Sequence, residues 1–181
     1  MRLTKNYIPL LLAGILSLSC GGPKPAPAPA EEEQAAQVLP EFNADSALQH
    51  IVKQCAFGPR TLGSEAHEHC GQYIAAQFGR YGCEVSLQRA EFVRYDGLRQ
   101  QGYNIIASQG VGKARRILLC AHWDSRPWAD RDADSTHWHT PIDAANDGAS
   151  GVAVMLELAR LMQQDTLQVG VDFICFDAED M

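Results

Sequence analysis

The chain has 181 residues, of which 46% are hydrophobic and 20% are charged, enough to build one globular domain around a hydrophobic core. The formal net charge is −7, and no basic stripe is visible in the sequence. Nucleic-acid binding surfaces are strongly basic, so we expect no nucleic-acid partner.

Residues 1–20 have the pattern of an export signal. A positively charged start is followed by the short apolar stretch "YIPLLLAGILSLSC", which is typical of a signal peptide rather than of a membrane span. Cys20 follows small and apolar residues, as in the lipobox of bacterial lipoproteins, where this cysteine is acylated. An ordinary cleaved signal, with Cys20 incidental, is the alternative. We expect a periplasmic or outer-membrane lipoprotein that faces an extracytoplasmic space and touches the membrane only through its lipid anchor.

Residues 21–41 form a predicted linker. The alternating Pro-Ala segment of "GGPKPAPAPAEEEQAAQ" favours extended polyproline II, and the acidic run that follows has nothing to bury. The segment is therefore interpreted as a tether, and residues 42–181 as the folded domain that it carries.

The first half of that domain predicts two helices and then strands. Apolar residues recur at helical spacing behind the possible caps Asn43 and Asp45, and Ser64 caps a second helix that ends at "GRYG". "CEVSLQRAEFV" alternates as a strand does, and "YNIIAS" and "RRILLCAH" follow as two more. The last lacks alternation, so we expect it to be buried on both faces. The apolar positions of the first helix are Ala47, Leu48, Ile51, Val52 and Cys55.

The second half predicts a βαβ unit. "DGASGVAVMLELARLMQQ" is the strongest helical pattern in the chain, and "VGVDFICFDAED" follows it as a buried strand. Strand, loop, helix and strand in this order place residues 117–121 and 169–176 parallel in one sheet.

Five cysteines follow the linker, in a compartment that permits disulfides. Cys120 and Cys175 lie in apolar runs and are predicted to be buried thiols. One disulfide is possible among Cys55, Cys70 and Cys83, with the pairing open.

Three polar clusters are predicted to meet at one edge of the sheet: "HWD" at 122–124, "AAND" at 144–147 and "DAED" at 177–180. Ligands bind beyond the carboxyl ends of strands in such sheets. Imidazole and carboxylate groups suit zinc, and adjacent acids such as Glu179 and Asp180 can divide the roles of metal ligand and proton carrier. This convergence predicts a metal-assisted catalytic site.

Each cluster also has a simpler interpretation. His122 and Asp124 can form a hydrogen-bonded pair at a strand end, Asp147 can favour the positive end of the long helix, and Glu179 and Asp180 can be solvated. These alternatives stay open at the level of the sequence.

As a set, the segments "GPRTLGS", "YNIIAS", "AHWDS", "DAANDGASGVAVMLELAR" and "FICFDAED" resemble the zinc aminopeptidase superfamily (peptidase family twenty-eight type). The resemblance runs from about residue 45 to the last residue, and "HWDSRPWADRD" looks more like bacterial members of the animal-type glutaminyl cyclases than like aminopeptidases. It implies a three-layer α/β/α fold with a mixed, mainly parallel central sheet, incomplete at the C-terminus. Residues 42–181 are then expected to be the N-terminal part of a zinc-dependent α/β catalytic domain.

The resemblance also implies roles for the site residues. Asp147 and Asp180 match zinc ligands, and Glu179 matches the general acid/base, with Asp177 as a supporting residue nearby. The family more often has Glu where this chain has Asp180. In di-zinc aminopeptidases the histidine matching His122 is a further ligand, and the aspartate matching Asp124 orients it.

The family also has at least one more metal-binding histidine, beyond the "DAED" strand. His137 and His139 are interpreted as loop residues near the site entrance rather than as its substitutes. We therefore expect a truncated fragment that is inactive as given, with the 169–176 strand left as an exposed apolar edge or face.

The function implied is that of a glutaminyl-peptide cyclotransferase. One Zn²⁺ is expected, and the substrates are peptides or proteins with an N-terminal Gln, converted to pyroglutamate with release of ammonia. The first alternative is a di-zinc aminopeptidase of the same superfamily, and the second is a non-catalytic, lipid-anchored binding module.

Overall fold

A computed structural model of the protein describes residues 40–163 and 168–181. The signal, Cys20 and most of the linker lie outside the described residues. In chain order the elements are the helices α1 (Ala44–Cys55) and α2 (Glu65–Arg80), the strands β1 (Glu84–Val93), β2 (Arg99–Gln109) and β3 (Arg116–His122), the helix α3 (Ser150–Met162) and the strand β4 (Gly170–Phe176).

The four strands form one mixed sheet in the order β1-β2-β4-β3. β1 and β2 are an antiparallel hairpin, and β2 also pairs antiparallel with β4. β3 and β4 run parallel, from Arg116 opposite Gly170 to His122 opposite Phe176. The parallel pairing predicted from the βαβ pattern is confirmed, and the carboxyl ends of these two strands lie side by side.

The core lies between the sheet and its helices. Alternate residues of β2 and β4, including Ile105 and Phe173, are fully buried against α2 and α3, and the Phe78 and Phe173 rings lie 5.2 Å apart. On the opposite face, Leu118 and Phe176 are 57% and 41% exposed. The mixed α/β fold is thus confirmed, while the described residues supply helices for one face of the sheet.

The predicted cap Ser64 of the second helix is confirmed, and of the two possible caps of the first helix the structure uses Asn43, with Asp45 inside the first turn. The Asn43 side chain accepts a hydrogen bond from the Ser46 N–H, and the Ser64 side chain accepts one from the His67 N–H. These bonds satisfy amides that have no partner within the helix.

The buried face of α1 differs from the expected one. Leu48 and Val52 are 51% and 52% exposed, whereas Ala47, His50 and Gln54 are buried. The two polar side chains tolerate burial because they find internal partners: His50 Nδ1 lies 2.7 Å from the Tyr73 hydroxyl, and the Gln54 amide donates to backbone carbonyls.

β3 is not buried on both faces, and the prediction that it is was wrong. It lies at the edge of the described sheet. Only Leu119 and Ala121, on the face towards the helices, pack against the core. Cys120 points the other way and is exposed, contrary to expectation. The strand at 169–176 is not an exposed edge, because β4 pairs on both sides, so that part of the prediction was wrong. The alternative of an exposed apolar face holds in part, since Phe176 on the face away from the helices is 41% exposed.

All five described cysteines are free thiols, so no disulfide links Cys55, Cys70 and Cys83 in the structure. Cys175 is buried as predicted, and burial raises its pKa. Burial likewise raises the pKa of Cys70 to about 12. Within the described ranges, no helix combines the length and apolar character needed to cross a bilayer.

Candidate metal and acid-base site

The parallel pairing of β3 and β4 continues one step past the strand ends. The Trp123 N–H donates to the Phe176 carbonyl at 3.0 Å, which carries the 122–124 segment alongside the start of 177–180. Two of the three clusters predicted to meet at this edge, those at 122–124 and 177–180, therefore do meet.

Asp124 connects the two clusters directly. Its side chain is fully buried, its Oδ1 accepts from the Glu179 N–H at 3.2 Å, and its Oδ2 accepts from the Asp180 N–H at 3.0 Å. The turn that bears both acids includes Ala178 with φ of 64°, a left-handed conformation that costs a non-glycine residue free energy. One carboxylate thus holds the backbone of the predicted base and of the predicted ligand.

His122 lies between two acids. Its Nδ1 donates to Asp124 Oδ1 at 3.3 Å, its Nε2 donates to Asp147 Oδ1 at 2.9 Å, and Glu179 Oε2 lies 3.8 Å from Nδ1. The Asp124 hydrogen bond, followed by that of Asp147 and by the nearby negative charges, raises the pKa of His122 to about 9, although burial opposes the rise. In the metal-free protein the neighbouring acids therefore favour the protonated form of the ring.

Asp147 sits in an irregular turn before α3, which we call the Asp147 turn (residues 143–149). Ala144 and Gly148 have positive φ of 48° and 100°, and a Cβ added at Gly148 would lie 2.6 Å from the His122 carbonyl oxygen. Asp147 itself is non-helical, and its carboxylate bonds to His122 rather than capping α3. The helix-dipole interpretation of Asp147 therefore does not describe this geometry.

The Asp177 side chain is buried, and both of its carboxylate oxygens accept hydrogen bonds. It accepts from His67 Nε2 at 2.8 Å, from the Tyr103 N–H at 2.7 Å and from the Ala178 N–H at 2.9 Å. The His67 ring in turn stacks on Trp123, with 4.2 Å between centroids. Asp177 thus supports the same turn through the Ala178 amide, next to the two amides that Asp124 holds.

A cavity of about 340 Å³ opens beside this turn. Arg126 donates to Asp180 Oδ1 at 3.2 Å and, through two nitrogens, to Asp130 at 2.9 Å each. The sequence-based prediction missed Arg126, although an arginine four residues before Asp130 in "RPWAD" was a visible signal for such a pair. The lining residues are Arg126, Trp128, Ala129, Asp130, Arg131, Asp132, Ile142, Asp147 and Asp180.

The second oxygen of Asp180 is buried and has no protein hydrogen-bond partner. Burial raises the pKa of this carboxyl, the charges of Asp147 and Asp124 add to the rise, and Arg126 opposes it. Asp147 is 71% exposed at its side chain and lines the same cavity. A bound cation would supply the missing partner of Asp180 Oδ2 and would also offset the negative charge of Asp147.

The described residues supply only part of a metal site. Within 40–163 and 168–181, no three His, Cys, Asp or Glu side chains are placed to hold one ion together. Asp147 and Asp180 nevertheless fit zinc by the chemistry of their oxygens and by the unpartnered Asp180 Oδ2. His137 and His139 lie in an exposed loop, where His137 Nδ1 is 3.3 Å from Asp132 Oδ2, and neither lines the cavity.

Comparisons with known proteins show what the chain is similar to. Residues 104–181 match the model of Peptidase family M28. A glutaminyl cyclase from Bacteroides thetaiotaomicron is 46% identical with a TM-score of 0.78, over 80% of this chain and 49% of that one. A leucine aminopeptidase precursor from Bacteroides thetaiotaomicron is 47% identical with a TM-score of 0.77, over 78% and 48%.

Among curated proteins, the alkaline phosphatase isozyme conversion protein of Escherichia coli is 28% identical over 156 residues, which are 81% of this chain and 44% of that protein. The chain thus spans about half the length of the solved structures it matches. The predicted resemblance to the zinc aminopeptidase superfamily is confirmed. Cyclases and exopeptidases resemble the chain to the same degree.

Proposed function

We propose that the protein carrying this chain is a zinc-dependent glutaminyl-peptide cyclotransferase, which converts an N-terminal Gln to pyroglutamate. The observation that carries the proposal is the turn that bears Glu179 and Asp180, whose amides are held by the Asp124 carboxylate at 3.2 and 3.0 Å; it places a proton carrier next to a carboxylate with one oxygen that has no protein hydrogen-bond partner. This arrangement suits a zinc enzyme of either kind, because His122 and Asp147, 2.9 Å apart, can be hydrogen-bonded partners or neighbouring metal ligands. The choice of a cyclase is supported by the solved structures named as glutaminyl cyclases, at 46% and 47% identity.

In this function Asp147 and Asp180 hold the zinc, together with a ligand from elsewhere in the protein. When bound, zinc polarises the γ-amide carbonyl of the substrate glutamine. The substrate α-amine attacks the carbonyl carbon of the γ-amide (Cδ), a ring C–N bond forms, and the bond from that carbon to the amide nitrogen breaks with release of ammonia.

Glu179 moves the proton in this reaction. Its side chain is 62% exposed, so it can reach a substrate, while its backbone is held by Asp124. The carboxylate accepts a proton from the attacking α-amine and delivers one to the departing ammonia. Asp124 and Asp177 accept hydrogen bonds from three successive amides of the turn and thereby fix the backbone from which this carboxylate projects.

The substrates proposed are peptides and proteins with an N-terminal Gln, met outside the cytoplasm. Export is inferred from residues 1–20 and membrane attachment from Cys20. A di-zinc aminopeptidase is the second candidate, favoured by the equal similarity to a leucine aminopeptidase precursor. It uses the same acids, with His122 as a ligand of a second ion.

The deciding experiment uses protein expressed from the full reading frame that encodes this chain. Pyroglutamate and ammonia are measured from a Gln-initiated dipeptide, free amino acid is measured from Leu- and Ala-initiated ones, and zinc per chain is determined on the same sample. Pyroglutamate with about one zinc supports the cyclase. Free amino acid with about two zinc ions shows a peptidase. If neither product forms, the protein is a binding module.

The role of Glu179 has its own test. Glu179→Gln is expected to keep zinc and to lose turnover by about 10²–10⁴-fold, the usual contribution of general acid-base catalysis. Glu91→Gln, at a glutamate whose side chain is 44% exposed on the β1–β2 hairpin, is the control and should keep both. Parallel loss of zinc and turnover in Glu179→Gln would identify this glutamate as a ligand instead.

A further inference from the structure

Two fully buried polar side chains outside the site hold the Asp147 turn in place. Arg60 and Gln54 are both 0% exposed, and both come from the α1 end of the domain rather than from the strands that carry the site. Neither has a role in the chemistry proposed above.

Arg60 holds the start of the turn. Its Nη1 donates to the Asp143 carbonyl at 2.7 Å and its Nη2 to the Ala144 carbonyl at 3.0 Å, while its Nε lies 3.3 Å from the Trp123 carbonyl. A guanidinium is expensive to bury, so a buried one aimed at backbone carbonyls represents a specific structural requirement. Through these bonds it ties the Asp147 turn to the segment that follows His122.

Gln54 holds the end of the turn. Its Nε2 donates to the Ala149 carbonyl at 3.0 Å and to the His50 carbonyl at 3.1 Å. Its Oε1 is buried with no hydrogen-bond partner, which is a cost that the rest of the structure offsets. The turn is therefore held before and after Asp147 by side chains from another part of the chain.

The turn needs such support because its backbone is strained. Ala144 has a left-handed φ of 48°, and Gly148 packs so closely on the His122 carbonyl that a Cβ there would lie 2.6 Å from it. A non-glycine residue in a left-handed conformation costs about 1–3 kcal/mol and persists only when its surroundings fix it. Asp147 itself is 71% exposed, so few packing contacts locate its carboxylate.

We propose that Arg60 and Gln54 are positioning residues, which pre-set the Asp147 carboxylate for metal binding by fixing the two ends of its turn. The inference rests on the proposed function in one respect, the identity of zinc as the ion that Asp147 meets. The pre-set conformation itself belongs to the metal-free protein and can be measured there.

The chain offers a matched control for Gln54. Gln109 is also buried, at 5% exposure, and its Nε2 likewise donates to two backbone carbonyls, those of Tyr81 and Ala159. Its Oε1 is buried and unpartnered as well. Gln109 does not contact the Asp147 turn, so Gln54→Met and Gln109→Met remove equivalent bonds at different places.

The experiment uses the full-reading-frame protein and two measurements. Hydrogen exchange of peptides covering residues 143–151 is followed in the metal-free protein, and Zn²⁺ affinity is measured by competition with a chelating dye. We expect Gln54→Met to speed exchange in this segment and to weaken zinc binding about tenfold, the lower end of the effect of residues that orient ligands. Arg60→Lys, whose single ammonium cannot reach all three carbonyls, should lie between wild type and Arg60→Met in both measurements.

Gln109→Met should lose comparable stability while keeping wild-type exchange in 143–151 and wild-type zinc affinity. The inference is overturned if Gln54→Met leaves both quantities unchanged, or if Gln109→Met alters them equally, because the effect is then one of general stability. Absence of zinc binding in the unsubstituted protein contradicts the proposed function, and the exchange comparison of the two glutamine variants still decides the inference.

Discussion

Glu157 of α3 carries the most quantitative prediction. Its side chain is fully buried, and it accepts hydrogen bonds from Arg160 at 2.6 and 2.7 Å and from the Asn43 N–H at 2.9 Å. The Arg160 bonds first, then those from the start of α1, lower the pKa of Glu157 from its usual 4.5 to about 2, against the effect of burial. The carboxylate thus joins α3 to the N-terminus of α1 only while it is ionised.

The size of the effect follows from linkage. A drop from 4.5 to about 2 in the folded state corresponds to about 3 kcal/mol of stability from ionisation, at 1.36 kcal/mol per pKa unit. Because the folded pKa is the lower one, this stability is fully present above about pH 5 and is lost as the pH falls towards 2. Roughly half of it is expected to remain at pH 3.

The assay is urea unfolding of the metal-free protein between pH 3 and 7, for wild type and Glu157→Gln. Glu157→Gln should be less stable at pH 7 by up to about 3 kcal/mol, and the difference should shrink as the pH falls. Arg160→Met, which removes the first cause of the shift, should flatten the pH dependence in the same way. If the free energies of unfolding of wild type and Glu157→Gln differ by the same amount at pH 3 and at pH 7, the stabilisation does not come from the ionised Glu157.

Three further predictions concern the site and the sheet. Asparagine at position 124 has one acceptor oxygen, whereas Asp124 uses two to hold the Glu179 and Asp180 amides. Asp124→Asn should therefore lower the free energy of unfolding in urea by about 1–3 kcal/mol and lower zinc affinity about 10–100-fold. Wild-type zinc affinity in this variant would contradict the positioning role of Asp124. Gly148→Ala should lose at least about 1–3 kcal/mol of stability, because its φ is 100° and the new Cβ meets the His122 carbonyl; an unchanged midpoint would contradict this. Leu118→Lys on the exposed edge strand β3 should reduce self-association of the 181-residue chain in sedimentation velocity. Leu48→Lys, at a similarly exposed position of α1, should leave self-association unchanged. Equal effects of the two variants would show that the β3 edge does not cause the self-association.

Local chemistry was predictable from the sequence. The caps Asn43 and Ser64 depend on residues three positions away, so the helix starts could be placed. The face that α1 buries could not, because His50 and Gln54 owe their burial to partners such as Tyr73 and Ala149 that lie far along the chain. Apolar periodicity selects hydrophobic residues for the interior and has no way to find a buried glutamine.

The location of the site in the fold was predictable from the sequence, but its hydrogen bonds and ion pairs were not. The βαβ pattern brings the ends of β3 and β4 together, which located His122 and Glu179 at one edge. The two amide bonds to Asp124 depend on the left-handed Ala178, and the Arg126–Asp180 pair depends on an irregular loop, so neither follows from periodicity. The exposure of β3 likewise depends on the strand order, which a continuous apolar run does not reveal.

The strand order also has a consequence for how the protein folds. Among the described strands, β3 pairs with β4 alone, although the whole of α3 separates them in the chain. During synthesis β3 therefore leaves the ribosome without a partner and must wait for β4, while the β1–β2 hairpin can form early from local contacts. The segment around His122 and Asp124 then gains its surroundings only when β4 adds to the edge of β2. The chemical centre is thus assembled by the most sequence-distant pairings of the sheet, late in folding.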